Sequence, residues 1–236
     1  CEEENWLQPE PTTPRTNVAL RSFSRGLTAA DLLEAAPDNT LSLVDRFDHR
    51  HLQEGVTWEM LKEDATAFFA DLPNRDKHLR LFLDAHSSLA FLAGSALGFK
   101  SGVDVEIMQK GRAASVVWHA GDGRDGPNPD ISEEAVGDGK DLAVSMAITR
   151  DTIDDVRKHV AENLPSVGTL LRVIPSGGAG QASVAGGTHA ARIADAVANA
   201  ITKVRRAGGT THLFVSAPNA FSFLLGQHSE AIGCCV

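Results

Sequence analysis

At 236 residues the chain has room for one large domain or two small fused ones, and its 42% hydrophobic content supports an ordinary core. A net charge of −9 excludes a protein whose main work is neutralising nucleic-acid phosphates, although a local set of turn amides can still hold one small anion. The three cysteines, Cys1 and the adjacent Cys234 and Cys235, form no CxxC pair or disulfide framework and point to a reducing cytoplasm; no apolar run reaches a membrane span and no signal-peptide pattern opens the chain.

Residues 1–17 are acidic and proline-rich and read as a linker or arm. Starting on Cys without an initiator Met, the chain reads as an excised domain. A short helix is expected over 27–36. Residues 40–56 are mixed, and Asp45, Asp48, His49 and His51 match no metal-ligand spacing with a firm precedent, so a solvated face is the better account. Thr57 reads as the N-cap of a helix with Trp58, Leu61, Ala65, Phe68 and Leu72 on one face, ended by Pro73. A strand at 79–85 and a helix at 87–97 follow, with Gly98 as cap, then strands at 103–108 and 114–120. The Gly-, Pro- and Asp-rich stretch 121–140 reads as a loop or seam.

In the second half a strand is expected at 142–149. A helix from about Thr152 follows, with Thr152 and Asp155 as a capping box and Pro165 as its stop. Next come a strand at 169–175, the loop SGGAGQASVAGG at 176–187, a long helix at 188–206, a strand at 211–216, and a helix with Pro218 at its first position. Alternating apolar strands and helices predict an α/β fold with a largely parallel sheet flanked by helices, which binds ligands at the carboxyl ends of its strands.

Two stretches are near copies. LFLDAHSSLAFLAG (81–94) and LFVSAPNAFSFLLG (213–226) share Leu81/Leu213, Phe82/Phe214, Ala85/Ala217, Phe91/Phe223, Leu92/Leu224 and Gly94/Gly226 at one offset. Any two buried strand–helix joints use similar residues, but duplication is the favoured account: two related α/β units, each presenting a polar turn, with a ligand between them.

The turns at the predicted carboxyl ends carry the candidate site. They are His86, Ser87 and Ser88; Gln109 and Lys110; Thr149 and Arg150; Pro175, Ser176 and Gly177; and Ser216, Pro218 and Asn219. Hydroxyls, amides and cations at helix N-termini suit phosphates, riboses and base edges. Ser87 and Asn219 read equally well as helix caps. Lys110 and Arg150 would serve as counter-charges, and Trp118 would offer a stacking surface or a core side chain. The glycine-rich loop is neither a P-loop nor GxGxxG. No GxSxG occurs, and neither His86 nor His189 sits in a triad context, so no catalytic residue is assigned.

The segments FLDAHSSLAFLAGSALGFKSGVDVEIMQKG with VVWHA, HLFVSAPNAFSFLLGQ, and DRFDHRHL…W at 45–58 resemble a SAVED domain over about residues 40 to 236. The resemblance implies two fused CARF-like, Rossmann-like units, here 40–140 and 141–236, behind an arm (1–39) that follows a missing effector domain. It implies a sensor of cyclic dinucleotides or trinucleotides made by a partner nucleotidyltransferase in bacterial CBASS anti-phage defence. Ligand binding would drive homo-oligomerisation and activate a fused effector, here of the HNH endonuclease type. It implies no other cofactor, no metal, no membrane and no direct nucleic-acid contact by this part. The alternative is a ring nuclease acting on the same ligand. Similar proteins continue past Val236 into a final strand, which leaves that sheet edge open to question.

Overall fold

The apolar run Val18–Leu20 is buried and makes an inner strand of the first sheet, paired on both sides. In the computed structural model, residues 14–23, 39–49, 51–110 and 115–236 are described, the side chain of Lys110 excepted. The segment expected as a helix over 27–36 lies outside these residues. The described elements begin with β1 (Thr16–Arg21), β2 (Thr40–Ser42) and the two-residue strands β3 (Phe47–Asp48) and β4 (His51–Leu52). Then come α1 (Trp58–Arg75), β5 (His78–Asp84), α2 (Ser87–Ala96), β6 (Asp104–Lys110), β7 (Ser115–His119) and β8 (Asp130–Ala135). The chain continues with β9 (Asp141–Ala147), α3 (Ile153–Asn163), β10 (Val167–Ile174), α4 (Gly187–Val204), β11 (Thr211–Ser216), α5 (Asn219–Gly226) and α6 (Ser229–Ile232).

Two sheets carry the fold. The first runs β2-β1-β5-β6-β7 and the second β11-β9-β10-β8, while β3 and β4 pair alone. In each sheet the earliest strand of the parallel trio, β1 or β9, lies in the middle. The next strand, β2 or β10, pairs on one side of it, and the third, β5 or β11, on the other. The shared order supports duplication independently of the sequence repeat. Among the described strands of these two sheets, only β7 and β8 run antiparallel to their neighbours; the separate β3–β4 pair is also antiparallel. β9 is buried at every position after Asp141, as a strand covered on both faces must be. Leu142, Val144 and Met146 face the main core, and Ala143 faces a smaller cluster under α3 with Ile153, Val156 and Val160.

Both halves share that main core, which runs from Leu20 and Leu81 through Val144 to Phe221 and Phe223. The copied helices α2 and α5 pack on each other at its centre. A Cβ at Gly94 would run into the Phe223 carbonyl, and one at Gly226 into the Phe91 carbonyl. These are equivalent residues in the two copies, so the contact is reciprocal. Only glycine lets the two helix backbones approach so closely.

Several expectations need correction. The sheets do not divide at 39/40 and 140/141: Thr16–Arg21 belongs to the first sheet, and Asp130–Ala135, expected in a loop, is an edge strand of the second. Pro73 does not end α1. It lies in the last turn, where its missing N–H forfeits a single helical bond, and Asp76 N still donates to Leu72 O at 3.0 Å. Thr57 caps α1 as expected, accepting from Met60 N at 3.3 Å. Thr152 makes no side-chain cap; Asp151 Oδ1 accepts from Ile153 N instead, at 3.1 Å. Pro218 is the N-cap of α5 and not its first helical residue. Among the described residues no helix is long and apolar enough to cross a membrane, and no cluster of three or more metal-capable side chains occurs.

Candidate functional site

The carboxyl ends of β9 and β11 are laced together. Thr149 N and Ile148 N both donate to Ser216 O, at 2.8 and 3.0 Å, and Thr149 Oγ1 lies 3.1 Å from Ser216 Oγ. Beside this seam opens a cleft of about 480 Å³ between the two halves. The first half supplies Gln109 on β6, Val116 and Trp118 on β7, and Arg124 from the following loop; the second supplies Thr149, Gln181, Val184, Ala185, Ala217 and Pro218. The cleft thus combines two amides, a hydroxyl and a guanidinium with an aromatic and aliphatic floor. That combination suits a ligand with flat rings and negative charge.

Trp118 is 7% exposed, so most of the ring belongs to the core and the remainder to the cleft. An adjoining cavity of about 600 Å³ is lined by Asp125–Pro127, the loop Ser176–Ser183, Ala185 and His189, and it shares Gln181 and Ala185 with the cleft. The loop between them is anchored by Gly180 N and Ser183 Oγ, which donate to Ile148 O at 3.0 and 2.8 Å. His189 fixes its far end. Its Nε2 lies 2.8 Å from the Pro127 carbonyl and must donate, which leaves Nδ1 to accept from Ala185 N at 3.1 Å.

The N-terminus of α4, which the glycine-rich loop enters, is already occupied by a carboxylate. Asp122 accepts from Gly187 N at 2.7 Å and from Thr188 N at 3.1 Å. Burial alone raises its pKa, but the amides of Thr188, Gly187 and Arg124 and the Arg124 side chain outweigh burial and hold it far below the usual carboxylate range. A Cβ at Gly187 would strike the His119 backbone, so glycine is required for the loop to reach this position.

The expectation that all five turns converge on one cleft holds only in part. Gln109, Thr149 and Pro218 line it together with Trp118, and Ser216 stands directly behind Thr149. Ser176 and Gly177 line the adjoining cavity, while Pro175 is buried and its carbonyl closes a turn to Gly178 N at 2.8 Å. The side chain of Lys110 lies outside the described residues. Arg150 is three-quarters exposed and pairs with Asp155 at 3.5 Å, away from the cleft lining.

His86 packs among aromatic side chains outside the cleft lining. Its Nδ1 lies 2.7 Å from Ser22 Oγ, and its ring stacks on Phe47 at 4.2 Å and against Phe23 at 4.5 Å. Ser87 and Ser88 line a separate groove with Trp58, Phe91 and Cys235. Asn219 spans the halves: Nδ2 donates to the carbonyls of Leu83 and Ala85 at 3.0 and 2.6 Å, and Oδ1 accepts from Ser87 Oγ at 3.3 Å. The two residues read equally as caps or ligand contacts are therefore partners of each other across the repeat. Sequence reasoning missed Arg124 and Gln181. The signal for Arg124 was an acid two residues away in a glycine-rich turn, GDGR; Gln181 lay inside the glycine-rich loop at 176–187.

The comparisons agree with this architecture. The family described as "SMODS-associated and fused to various effectors sensor domain" (SAVED) matches residues 61–236. CD-NTase-associated protein 4 of Enterobacter hormaechei subsp. hoffmannii is 40% identical over 238 residues, covering 100% of this chain and 47% of that protein. An Acinetobacter baumannii Cap4 SAVED/CARF-domain containing receptor, with the cyclic trinucleotide 3'3'3'-cAAA, superposes with a TM-score of 0.63 at 14% identity, over 94% of this chain and 48% of that one. A Moraxella osloensis Cap4 SAVED/CARF-domain containing receptor gives 0.59 at 14% identity, over 94% of this chain and 46% of that one. The chain spans about half the length of the relatives it matches. With the family matching three-quarters of its length, the chain belongs to the SAVED family of sensor domains.

Proposed function

We propose that the inter-half cleft binds a cyclic oligonucleotide, and that the chain is the sensing part of a longer CBASS anti-phage effector. The observation that carries this reading is the cleft itself, with Trp118, Arg124, Gln109, Gln181 and Thr149 gathered between two related halves. Its volume falls within the range of small-molecule sites, about 300–1,000 Å³. The A. baumannii receptor of the same fold is described with 3'3'3'-cAAA and with 2'3'3'-cAAA. The two walls differ chemically, since the aromatic and the guanidinium come from the first half alone. A cyclic trinucleotide, which has no twofold axis, suits unlike walls better than a symmetrical cyclic dinucleotide.

Binding would favour one of two states of the sensor and promote self-association, which activates a fused effector. In this reading the effector is an endonuclease of the HNH type, and the protein works in the bacterial cytoplasm. The test is a thermal-shift screen against cyclic di- and trinucleotides with linear trinucleotides as controls. A ligand present at 100 times its Kd adds about 2.7 kcal/mol to the folded state. Chromatography of the recovered ligand follows. A cyclic ligand that raises the melting temperature and returns intact supports the sensor; linear products support the ring-nuclease alternative. No shift with any cyclic compound refutes the reading. Light scattering with and without the best ligand tests assembly, and an unchanged monomer with ligand bound refutes ligand-driven self-association.

A further inference from the structure

We propose that Asp122 is a positioning residue that aims the Arg124 guanidinium into the cleft; this rests on the reading that the cleft takes an anionic ligand. A free arginine side chain has many rotamers, and fixing them on binding costs affinity. Here that cost is met in advance. Asp122 Oδ1 accepts from Thr188 N at 3.1 Å and from Arg124 N at 3.0 Å. Asp122 Oδ2 accepts from Gly187 N at 2.7 Å and from Arg124 Nε and Nη2 at 3.0 and 2.6 Å. The carboxylate is thus pinned by the start of α4 and pins the guanidinium in turn. Arg124 Nη2 also donates to the Val117 carbonyl, tying the group to β7 beside Trp118. Nη1 has no protein partner among the described residues, while 39% of the side chain is exposed and lines the cleft.

The surroundings are shaped for this arrangement. A Cβ at Gly186 would stand 2.6 Å from Arg124 Cβ, 2.8 Å from Arg124 Nε and 2.9 Å from Asp122 Oδ2. The loop that walls both cavities therefore leaves out a side chain at a place where it would displace the pair.

Two measurements test the proposal. The first is ¹⁵N relaxation of the arginine Nε–Hε groups in the ligand-free protein. Arg124 is expected to be rigid, unlike the exposed Arg150, and to become mobile in Asp122→Asn and in Gly186→Ala. The second is a double-mutant cycle on binding of 3'3'3'-cAAA and 2'3'3'-cAAA. Asp122→Asn and Arg124→Gln should each weaken binding by at least about tenfold, the scale of a charge-assisted hydrogen bond. The double variant should bind no worse than Arg124→Gln alone, because Asp122 acts only through Arg124. A merely structural Asp122 would weaken binding by the same factor in both backgrounds, and that result overturns the proposal. So does an Arg124 as mobile as Arg150 in the unaltered protein. If the unaltered protein binds neither trinucleotide, the ligand reading fails for those compounds, and the relaxation data still decide whether Asp122 holds Arg124.

Discussion

Replacing Gly94 or Gly226 with alanine tests the reciprocal packing of α2 on α5 most directly. An added Cβ at Gly94 would lie 1.9 Å from Phe223 O, and one at Gly226 would lie 2.1 Å from Phe91 O. Both obstacles are backbone, so no side-chain rotation relieves them. Restoring an ordinary contact requires the helices to part by roughly 1.5 Å, a gap that forfeits a large fraction of the dispersion energy along the interface. Phe221, Phe223 and Leu89 are fully buried along these two helices, so the loss falls on the centre of the shared core. Overpacking of this kind costs about 3 kcal/mol, and the better helix propensity of alanine returns about 1 kcal/mol inside α2, leaving a net loss of ~2 kcal/mol for Gly94→Ala. Gly226 is the last residue of α5, where propensity helps less, so Gly226→Ala should cost at least as much.

The double variant carries the stronger expectation. Once one alanine has parted the helices, the reciprocal clash is already relieved, so the pair should destabilise by far less than the sum. Urea denaturation of the three variants at constant m-value measures this. Single variants as stable as the parent, or a double variant whose loss equals the sum, would refute the reciprocal contact.

Acid should weaken the fold through Asp122 and Asp104. For Asp104 burial raises the pKa, but hydrogen bonds from His119 and Arg15 outweigh it, and both carboxyls sit below their ordinary value in the folded chain. Their stabilising contribution is therefore complete above the unfolded value of about 3.9 and is lost as pH falls from there through the folded values. Urea midpoints measured from pH 7 down to pH 2.5 should show a decline below about pH 4 that is shallower in Asp122→Asn. Substituting His86 by alanine removes the stack on Phe47 and the Ser22 bond and should cost about 2–3 kcal/mol of stability, leaving cyclic-oligonucleotide affinity unchanged in a titration. Asn219→Ala strips the donors from the Leu83 and Ala85 carbonyls and should lower stability by about 2 kcal/mol in the same denaturation assay, the scale of buried acceptors left unsatisfied.

Residues whose neighbours lie close in sequence were the legible ones. The apolar strand β11, the amphipathic face of α4 and the Thr57 cap all rest on local spacing, and each lies within two residues of its expected place. β8 was illegible because DISEEA is acidic and mostly exposed; its pairing partner β10, and not its own pattern, makes it a strand. β1 was masked by the proline-rich sequence before it. The site suffered more, because facing the cleft is a property of the whole fold. His86 and Pro218 occupy equivalent positions in the repeat, and nothing local separates them. Phe47, which decides the matter by stacking on His86, lies 39 residues upstream on a different element.

That difference accounts for the cleft opening beside one of the two repeated turns and not the other. Both halves use the same parallel trio, and both end the third strand in a turn leading to a small-residue helix. In the first half Phe23, Phe47 and Trp58 surround the residue at that turn, and its polar neighbour Ser87 is spent on Asn219. In the second half the turn is Ala217–Pro218, too small to fill the space and flanked by Thr149, so it stays open to the cleft. The opposite wall comes from β6, β7 and the loop after them, which extend the first sheet beyond the shared trio. The repeat accordingly fixes where the cleft lies, through the Gly94 and Gly226 contacts that set the distance between the halves. The segments outside the repeat fix what the cleft can hold. A change at either glycine should therefore alter the geometry of both walls together, whereas a change at Arg124 or Gln181 should alter one contact and leave the frame in place.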